Sequence, residues 1–195
     1  MVTMPHVRID PRALIVCGLA LALAISACGG GAKSDATLAA EALSRGLQAH
    51  AAGKLDEATT AYFETLTKDP KNRFAFYNLG VIAQGQNRAA AAEAYYRLAL
   101  EQDPTMASAL FNLAILRGIA GANQEAAELY RRVIAADPNN AAAHFNLGLV
   151  LRLLGQTAEA QQELTKAQQL DAKLVAPTPS ASPVRQASPS PSPTR

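Results

Sequence analysis

The chain has 195 residues, of which 49% are hydrophobic and 17% charged, and 42 are alanine. Alanine is the best helix former and is depleted in strands, so the composition argues against an all-β fold. The formal net charge is only +2, and the sequence contains no cluster of basic residues. Both features argue against a nucleic-acid partner. The two cysteines are too few for a disulfide scaffold, and the length allows one domain or two small ones.

The N-terminal segment has the organisation of an export signal. Arg8 and Arg12 precede an uncharged apolar run that extends from residue 13 to residue 27. As a helix this run would measure about 22 Å, which is short of the roughly 30 Å hydrocarbon core of a bilayer. A basic start followed by a short apolar run and small residues is typical of a secretory signal. We therefore predict that residues 1–27 are a signal peptide rather than a membrane-spanning helix.

The end of this run, Ile25-Ser26-Ala27-Cys28-Gly29, resembles the lipobox of bacterial lipoproteins. The resemblance implies that Cys28 receives a diacylglyceryl thioether and becomes the N-terminus after cleavage. Two acyl chains give stable membrane attachment, whereas a single chain is marginal. The protein would then be anchored in the bacterial cell envelope, on the extracytoplasmic side of a membrane, with residues 28–38 forming the lipidated cysteine and a flexible tether. The alternative is an ordinary cleaved signal with an incidental cysteine.

The middle of the chain repeats every 34 residues. Two dipeptides, Asp-Pro and Asn-Leu, each recur three times at this spacing without insertions, and together they define four units. Such internal self-similarity indicates a repeat architecture. The Asp-Pro pairs begin at Asp69, Asp103 and Asp137, the Asn-Leu pairs begin at Asn78, Asn112 and Asn146, and the units are 39–72, 73–106, 107–140 and 141–174.

This pattern resembles the tetratricopeptide repeat. The eighth site of each unit is small, the twentieth is alanine, the twenty-fourth is large, and the thirty-second is proline in three units. The resemblance implies an all-α solenoid of four helical hairpins over residues 39–174, with helices near 40–52 and 55–68 and their equivalents further on. The sites are Gly46, Gly80, Ala114 and Gly148; Ala58, Ala92, Ala126 and Ala160; Tyr62, Tyr96, Tyr130 and Leu164; and Pro70, Pro104 and Pro138.

Two further features of the units support this interpretation. The fifteenth site carries residues that tolerate the left-handed conformation at a helix end, namely Gly53, Asn87, Gly121 and Gly155. Terminal repeats need a solvated outer face, and the last predicted helix carries the polar set that such a face requires. We expect that helix to serve as the cap of the stack through Gln161, Gln162, Lys166, Gln168 and Gln169.

Residues 175–195 form a tail of different composition. They include six prolines and many serines but no acidic residue. Alternating proline and serine favour solvated polyproline II and cannot build a core, so we predict a disordered tail. A glycosylated stalk and an extended arm through cell-wall material remain alternative interpretations.

The sequence shows no constellation of residues for catalysis. His6, His50 and His144 have no metal-ligand spacing, so we expect them to be packed or exposed. A glutamate recurs at the nineteenth site, which suggests a solvated helix face, and the glycine run near the N-terminus is not a nucleotide loop. We therefore predict no enzyme activity, no cofactor, no metal site and no small-molecule substrate. The recurring glutamates are Glu57, Glu125 and Glu159.

The remaining candidate site is the concave face that the first helices of tetratricopeptide repeats line. Aromatic and aliphatic side chains there would supply apolar contact area, and a ladder of asparagines could donate and accept hydrogen bonds. The alternative is that the aromatic residues only pack between neighbouring first helices. Ser108 stands where a carboxylate-binding subtype has a cation, which disfavours that subtype. The candidate groove residues are Leu43, Leu47, Tyr77, Asn78, Val81, Phe111, Asn112, Ile115, Phe145, Asn146 and Leu149.

These features predict a membrane-anchored interaction scaffold on the extracytoplasmic side, which holds another envelope protein or peptide in its groove. A second hypothesis is a self-associating or pilotin-like assembly factor for a secretion, pilus or envelope complex. This second hypothesis rests on analogy with lipoproteins that contain such repeats.

Overall fold

The computed structural model describes residues 33–174, so the predicted signal peptide, Cys28 and the proline-rich tail lie outside the described residues. Within residues 33–174 the chain forms eight α-helices and no strand, which confirms the predicted all-α fold. Three-residue loops join the helices of each pair, and four residues separate one pair from the next. The helices are α1 (Asp35–Ala51), α2 (Leu55–Lys68), α3 (Arg73–Gly85), α4 (Ala89–Gln102), α5 (Ala107–Ile119), α6 (Asn123–Ala136), α7 (Ala141–Leu153) and α8 (Thr157–Leu170).

Helix α1 begins earlier than the repeat pattern predicted. We expected a helix from about residue 40 and a tether up to residue 38, but α1 starts at Asp35. The hydroxyl oxygen of Ser34 accepts a hydrogen bond from the backbone N–H of Thr37 at 3.2 Å, which satisfies a free donor of the first turn. Lys33 also pairs with Glu41 at 2.6 Å. Residues 35–38 are therefore helical and do not belong to a flexible tether.

The turns between helices follow from two local signals. At the fifteenth site all four residues have positive φ, between 59° and 79°, as predicted. Between units, the aspartate of each Asp-Pro pair accepts a hydrogen bond at its side-chain oxygen from the N–H two residues later. Asp171 makes the same contact with the N–H of Lys173 at 3.0 Å, although alanine follows it. The aspartate thus supports the turn even where proline is missing.

The core runs through the stack along the repeated positions. The alanines at the twentieth site have no exposed surface, and the large residues at the twenty-fourth site are buried beside them. Glycine at the eighth site makes room for the large side chain, since a Cβ on Gly46 would lie 2.5 Å from Tyr62 Cε1. Each helix packs chiefly against the helices before and after it in the chain, as expected for a solenoid.

The two ends of the described stack differ from its interior. The five polar residues that we assigned to the cap on α8 are all exposed, while Ala160, Leu164 and Ala167 face inward. At the other end Arg45 is exposed and pairs with Glu64 on α2. None of the helices within residues 33–174 is long and apolar enough to cross a membrane.

Candidate functional site

A cleft of about 360 Å³ opens where the N-terminal ends of α5 and α7 approach α3. We call it the first-helix cleft, because only first helices of the hairpins and the residue before α7 line it. Its lining combines aromatic rings with hydroxyl and amide groups and contains no charged side chain. By contrast, the cleft between α4 and α6 is lined by Arg97, Glu125 and Arg132 among others. The first-helix cleft is lined by Tyr77, Ala107, Ser108, Phe111, Asn112, Asn140 and Ala142.

The aromatic residues of the cleft rest on the tyrosines at the twenty-fourth site. The ring of Tyr77 lies 5.9 Å from that of Tyr96, and the ring of Phe111 meets that of Tyr130 edge-on at 5.6 Å. Tyr77 and Phe111 are half-buried. Each ring therefore packs against the second helix of its own hairpin on one side and lines the cleft on the other.

Asn112 links the cleft to a buried hydrogen-bond network. Its side-chain N–H group donates to the hydroxyl oxygens of Tyr77 at 3.4 Å and Tyr96 at 3.3 Å. The hydroxyl of Tyr96 donates to Gln84 Oε1 at 2.6 Å, and burial raises the pKa of Tyr96, so this hydroxyl stays protonated. Within residues 33–174 no group donates to Asn112 Oδ1, which leaves this oxygen able to accept a hydrogen bond from a ligand.

The three repeated asparagines do not form the expected ladder. The side-chain N–H groups of Asn78 and Asn146 donate to carbonyl oxygens four residues earlier in their own helices, Phe74 O at 2.8 Å and Ala142 O at 2.9 Å. Of the three, only Asn112 reaches side chains on neighbouring helices. Equivalent positions in the sequence therefore have different hydrogen-bond roles in the structure.

The other predicted groove residues lie outside the first-helix cleft. Leu47 is exposed, whereas Leu43, Val81 and Ile115 are half-buried and pack against the core. Phe145 and Leu149 are half-buried on α7. Sequence reasoning did not include Ser108 and Asn140 among the groove residues. The signal for Ser108 was present, since it holds the second site of its unit, but Asn140 belongs to the preceding unit and becomes a neighbour only when the units stack.

Four charged residues on α4, α5 and α6 form a closed ring between the second and third units. Glu93 contacts Arg97 at 3.0 Å and Arg117 at 2.8 Å, and Glu125 contacts the same two arginines at 3.0 and 2.8 Å. Burial opposes ionisation of Glu93, but hydrogen bonds and charge from the two arginines outweigh it and lower the pKa of this carboxyl. The carboxylates of Glu93 and Glu125 in turn raise the pKa of Arg117. The ring joins α4, α5 and α6.

The glutamates at the nineteenth site keep solvent-exposed side chains, but two of them also form ion pairs between units. Glu125 belongs to the ring, and Glu159 pairs with Arg131 of the preceding unit at 2.8 Å. These glutamates connect units, whereas Glu57 is exposed and pairs with Lys54 on the same turn. A one-dimensional pattern cannot distinguish the two roles, because both place a glutamate before the same buried alanine.

The histidines of the described chain have local partners. His144 is buried, with Nδ1 2.6 Å from Glu163 Oε2 and Nε2 3.1 Å from the carbonyl oxygen of Pro138. His50 is half-buried, and its Nδ1 lies 3.4 Å from the hydroxyl oxygen of Tyr62. Within residues 33–174 no group of three or more His, Cys, Asp or Glu side chains is arranged to hold a metal ion.

Comparisons with known proteins agree with this architecture. Two family models, both described as tetratricopeptide repeat, match residues 43–107 and 129–162. The chain belongs to the tetratricopeptide repeat family, and its fold is that of a protein–protein interaction scaffold. A search of curated protein sequences found no match.

Solved structures show the same fold. The crystal structure of MamA is 20% identical, with a TM-score of 0.63, and the match covers 86% of this chain and 98% of MamA. A tetratricopeptide repeat protein from Parabacteroides merdae is 23% identical, with a TM-score of 0.63, and the match covers 70% of this chain and 55% of that protein. At these identities the likeness concerns the fold alone.

Proposed function

We propose that this protein is a membrane-anchored, extracytoplasmic scaffold without catalytic activity, and that it binds another envelope protein or peptide in the first-helix cleft. The lining of the cleft supports this choice of binding site, because two aromatic rings lie there beside uncharged polar groups. The volume of about 360 Å³ is at the lower end of the range for specific binding sites. It suits a few residues of an extended segment better than a folded domain.

The polar groups support binding of a peptide backbone. Asn112 Oδ1 is available to accept from a backbone N–H, and the hydroxyls of Tyr77 and Ser108 are available to donate to carbonyl oxygens. The rings of Tyr77 and Phe111 supply apolar area at little entropic cost, because packing against the core already restricts them. A partner segment with few charges matches this surface.

Substitution of the cleft residues tests the binding site. Tyr77→Ala combined with Phe111→Ala and Asn112→Ala should remove the partner from crosslinked or co-purified material. Because both rings also pack against the core, the melting temperature should fall, and circular dichroism at the assay temperature checks that the variant is still helical. Tyr77→Phe is the conservative companion, since it keeps the ring against Tyr96 and removes only the hydroxyl. Phe63→Ala on α2 is a matched control, because Phe63 is an exposed ring outside the cleft. Unchanged partner recovery in the triple variant would show that the cleft is not the binding site.

The proposed anchor rests on the lipobox resemblance at Cys28. Cys28→Ser should move the protein from the membrane fraction to the soluble fraction, since the acyl chains would be lost. A variant with Cys17→Ser is the control, because Cys17 lies inside the predicted signal. Membrane attachment that survives Cys28→Ser would contradict the lipoprotein assignment without affecting the cleft.

A second candidate function is assembly of a larger complex, including self-association. Ile119 and Leu153 occupy the same site in successive units and are 80% and 73% exposed. Two large aliphatic side chains at adjacent helix ends favour an additional contact surface. Ile119→Ser with Leu153→Ser should abolish any concentration-dependent association seen by sedimentation. A monomer at all concentrations counts against self-association.

A further inference from the structure

We propose that the first-helix cleft binds an uncharged proline-rich segment in the polyproline II conformation, and that residues 188–193 of the same chain, Ser-Pro-Ser-Pro-Ser-Pro, occupy it in the absence of a partner. The inference rests on the proposed function and deepens it, because it names the chemistry of the ligand. It also makes the tail a competitor of the partner.

The lining of the cleft fits this class of ligand. Proline-rich segments dock on grooves lined by aromatic rings, and they lose little entropy because the conformation is set before binding. Tyr77 and Phe111 present such rings. A polyproline II segment has no internal hydrogen bonds, so its carbonyl oxygens are free to accept from the hydroxyls of Tyr77 and Ser108. Serine between the prolines keeps an N–H for Asn112 Oδ1.

Charge distinguishes this cleft from its neighbours. Residues 186–194 of the chain contain no charged side chain, and neither does the lining of the first-helix cleft. The cleft between α4 and α6 and the cleft beside α2 are both lined by several acidic and basic side chains. An uncharged segment would have to desolvate those charges without pairing them, which disfavours binding there.

The position of the last described residue favours binding within one molecule. Helices α7 and α8 are antiparallel, since His144 near the start of α7 contacts Glu163, whereas a Cβ on Gly148, one turn later, would lie 3.1 Å from the earlier Ala160 carbonyl oxygen. The C-terminal end of α8 therefore lies beside the start of α7, where Asn140 and Ala142 line the cleft. The backbone N–H of Leu174 donates to Asp171 at 3.0 Å and holds the chain close to that end.

The length of the connecting segment is sufficient. Packed helices lie about 8–10 Å apart, so the chain leaves the described structure within roughly two helix diameters of the cleft. A segment as long as residues 175–187 can span about 40 Å at the 3.1 Å per residue of polyproline II. A short tether gives an effective concentration in the millimolar range, so even a weak segment occupies the cleft for much of the time.

The test uses the exported chain, residues 28–195, with Cys28→Ser to keep it free of lipid. Amide NMR spectra are compared with those of a variant in which Pro189, Pro191 and Pro193 are replaced by glycine. We expect shifts at Ser108 and Asn112 and none at Phe63 on the opposite helix layer. Superimposable spectra would overturn the proposal. A difference that disappears on dilution would assign the segment to a second copy and overturn binding within one molecule.

A second experiment, with a synthetic peptide, tests binding to the cleft itself. A synthetic peptide of residues 186–194, added to the triple glycine variant, should restore the shifts at Ser108 and Asn112. Tyr77→Ala in that variant should lower the affinity for the peptide at least about tenfold, whereas Tyr77→Phe should keep most of the affinity through its ring. Equal affinity in the Tyr77→Ala background would place the peptide elsewhere and overturn the proposal. Because no partner is present, this outcome is independent of partner capture in the cleft variants.

Discussion

Gly80 on α3 lies so close to the ring of Tyr96 on α4 that a Cβ atom at this position would be 2.6 Å from Cε1 and 2.7 Å from Cδ1. Tyr96 cannot yield easily, because it has no exposed surface and its hydroxyl donates to Gln84 at 2.6 Å. The small residue on the first helix and the large residue on the second therefore form one packing unit. This contact sets how closely the two helices of the hairpin approach.

Gly80→Ala should destabilise the protein. The added methyl group overlaps a fixed ring, and overpacking of this kind costs about 1–3 kcal/mol. The gain in helix propensity, about 1 kcal/mol, does not offset a cost at the upper end of that range. Gly85→Ala in the same helix is the matched control, because its added Cβ would meet no atom within 4 Å beyond its chain neighbours and its own helix backbone, and it should stabilise the protein. Urea unfolding, followed by circular dichroism, measures the free energy of unfolding of both variants. A Gly80→Ala variant as stable as Gly85→Ala would contradict the packing argument.

Glu93→Gln should weaken the contact between the second and third units. Glu93 contacts both arginines of the ring, so the variant loses two ion pairs, which at partly exposed positions amounts to about 1 kcal/mol. The pKa of Glu93 is lowered in the folded state, so its contribution is present above the ordinary glutamate pKa of about 4.3 and is lost as the pH falls through the lower folded value. The stability difference between parent and variant should therefore shrink in acid.

Glu159→Gln is the control for the ring. Glu159 makes a single pair with Arg131 at the same type of junction, so its loss should cost less than that of Glu93. Melting temperatures of both variants, measured from neutral pH into acid and at low and high salt, separate the two cases. Equal losses of stability would show that the closed ring is no more stabilising than the individual ion pairs.

Much of the fold is predictable from the sequence, because the repeat buries its defining residues within one unit or against the next one. Ala92 and Tyr96 have no exposed surface, and Asn87 has positive φ, as their sites in the unit predict. A contact that depends on residues a fixed distance apart along the chain recurs whenever the spacing recurs. The 34-residue period therefore predicts the geometry of the hairpin.

Contacts that depend on a residue found in only one unit cannot be predicted from that period. Arg117 stands at a site where the other units have Ala49, Ala83 and Leu151, so the ring that it closes has no counterpart elsewhere in the pattern. The start of α1 depends on a cap at Ser34, which lies before the first unit. The pattern predicts Tyr77 and Phe111 on the first-helix face, but the distinct hydrogen bonds of Asn112 depend on the positions of both neighbouring helices.

The tyrosines should report on the integrity of the core at alkaline pH. Burial raises the pKa of Tyr62 and Tyr96, and it raises that of Tyr130 to about 12. A raised folded pKa keeps these hydroxyls protonated where the unfolded chain already ionises. Their contribution to stability is therefore complete below the ordinary tyrosine pKa of about 10 and is lost as the pH rises above it.

Tyrosinate absorbance followed against pH measures this effect. In urea the five tyrosines of the chain should ionise together near pH 10, whereas in the native protein three of them should ionise late and together with loss of helicity. Tyr130→Phe should lower the late amplitude by about one third without loss of stability, because the hydroxyl makes no hydrogen bond to another described residue and the ring stays against Phe111. A native titration identical to that in urea would mean that these rings are accessible to water. Helix pairs packed around glycine and tyrosine could not then hold the cleft in shape.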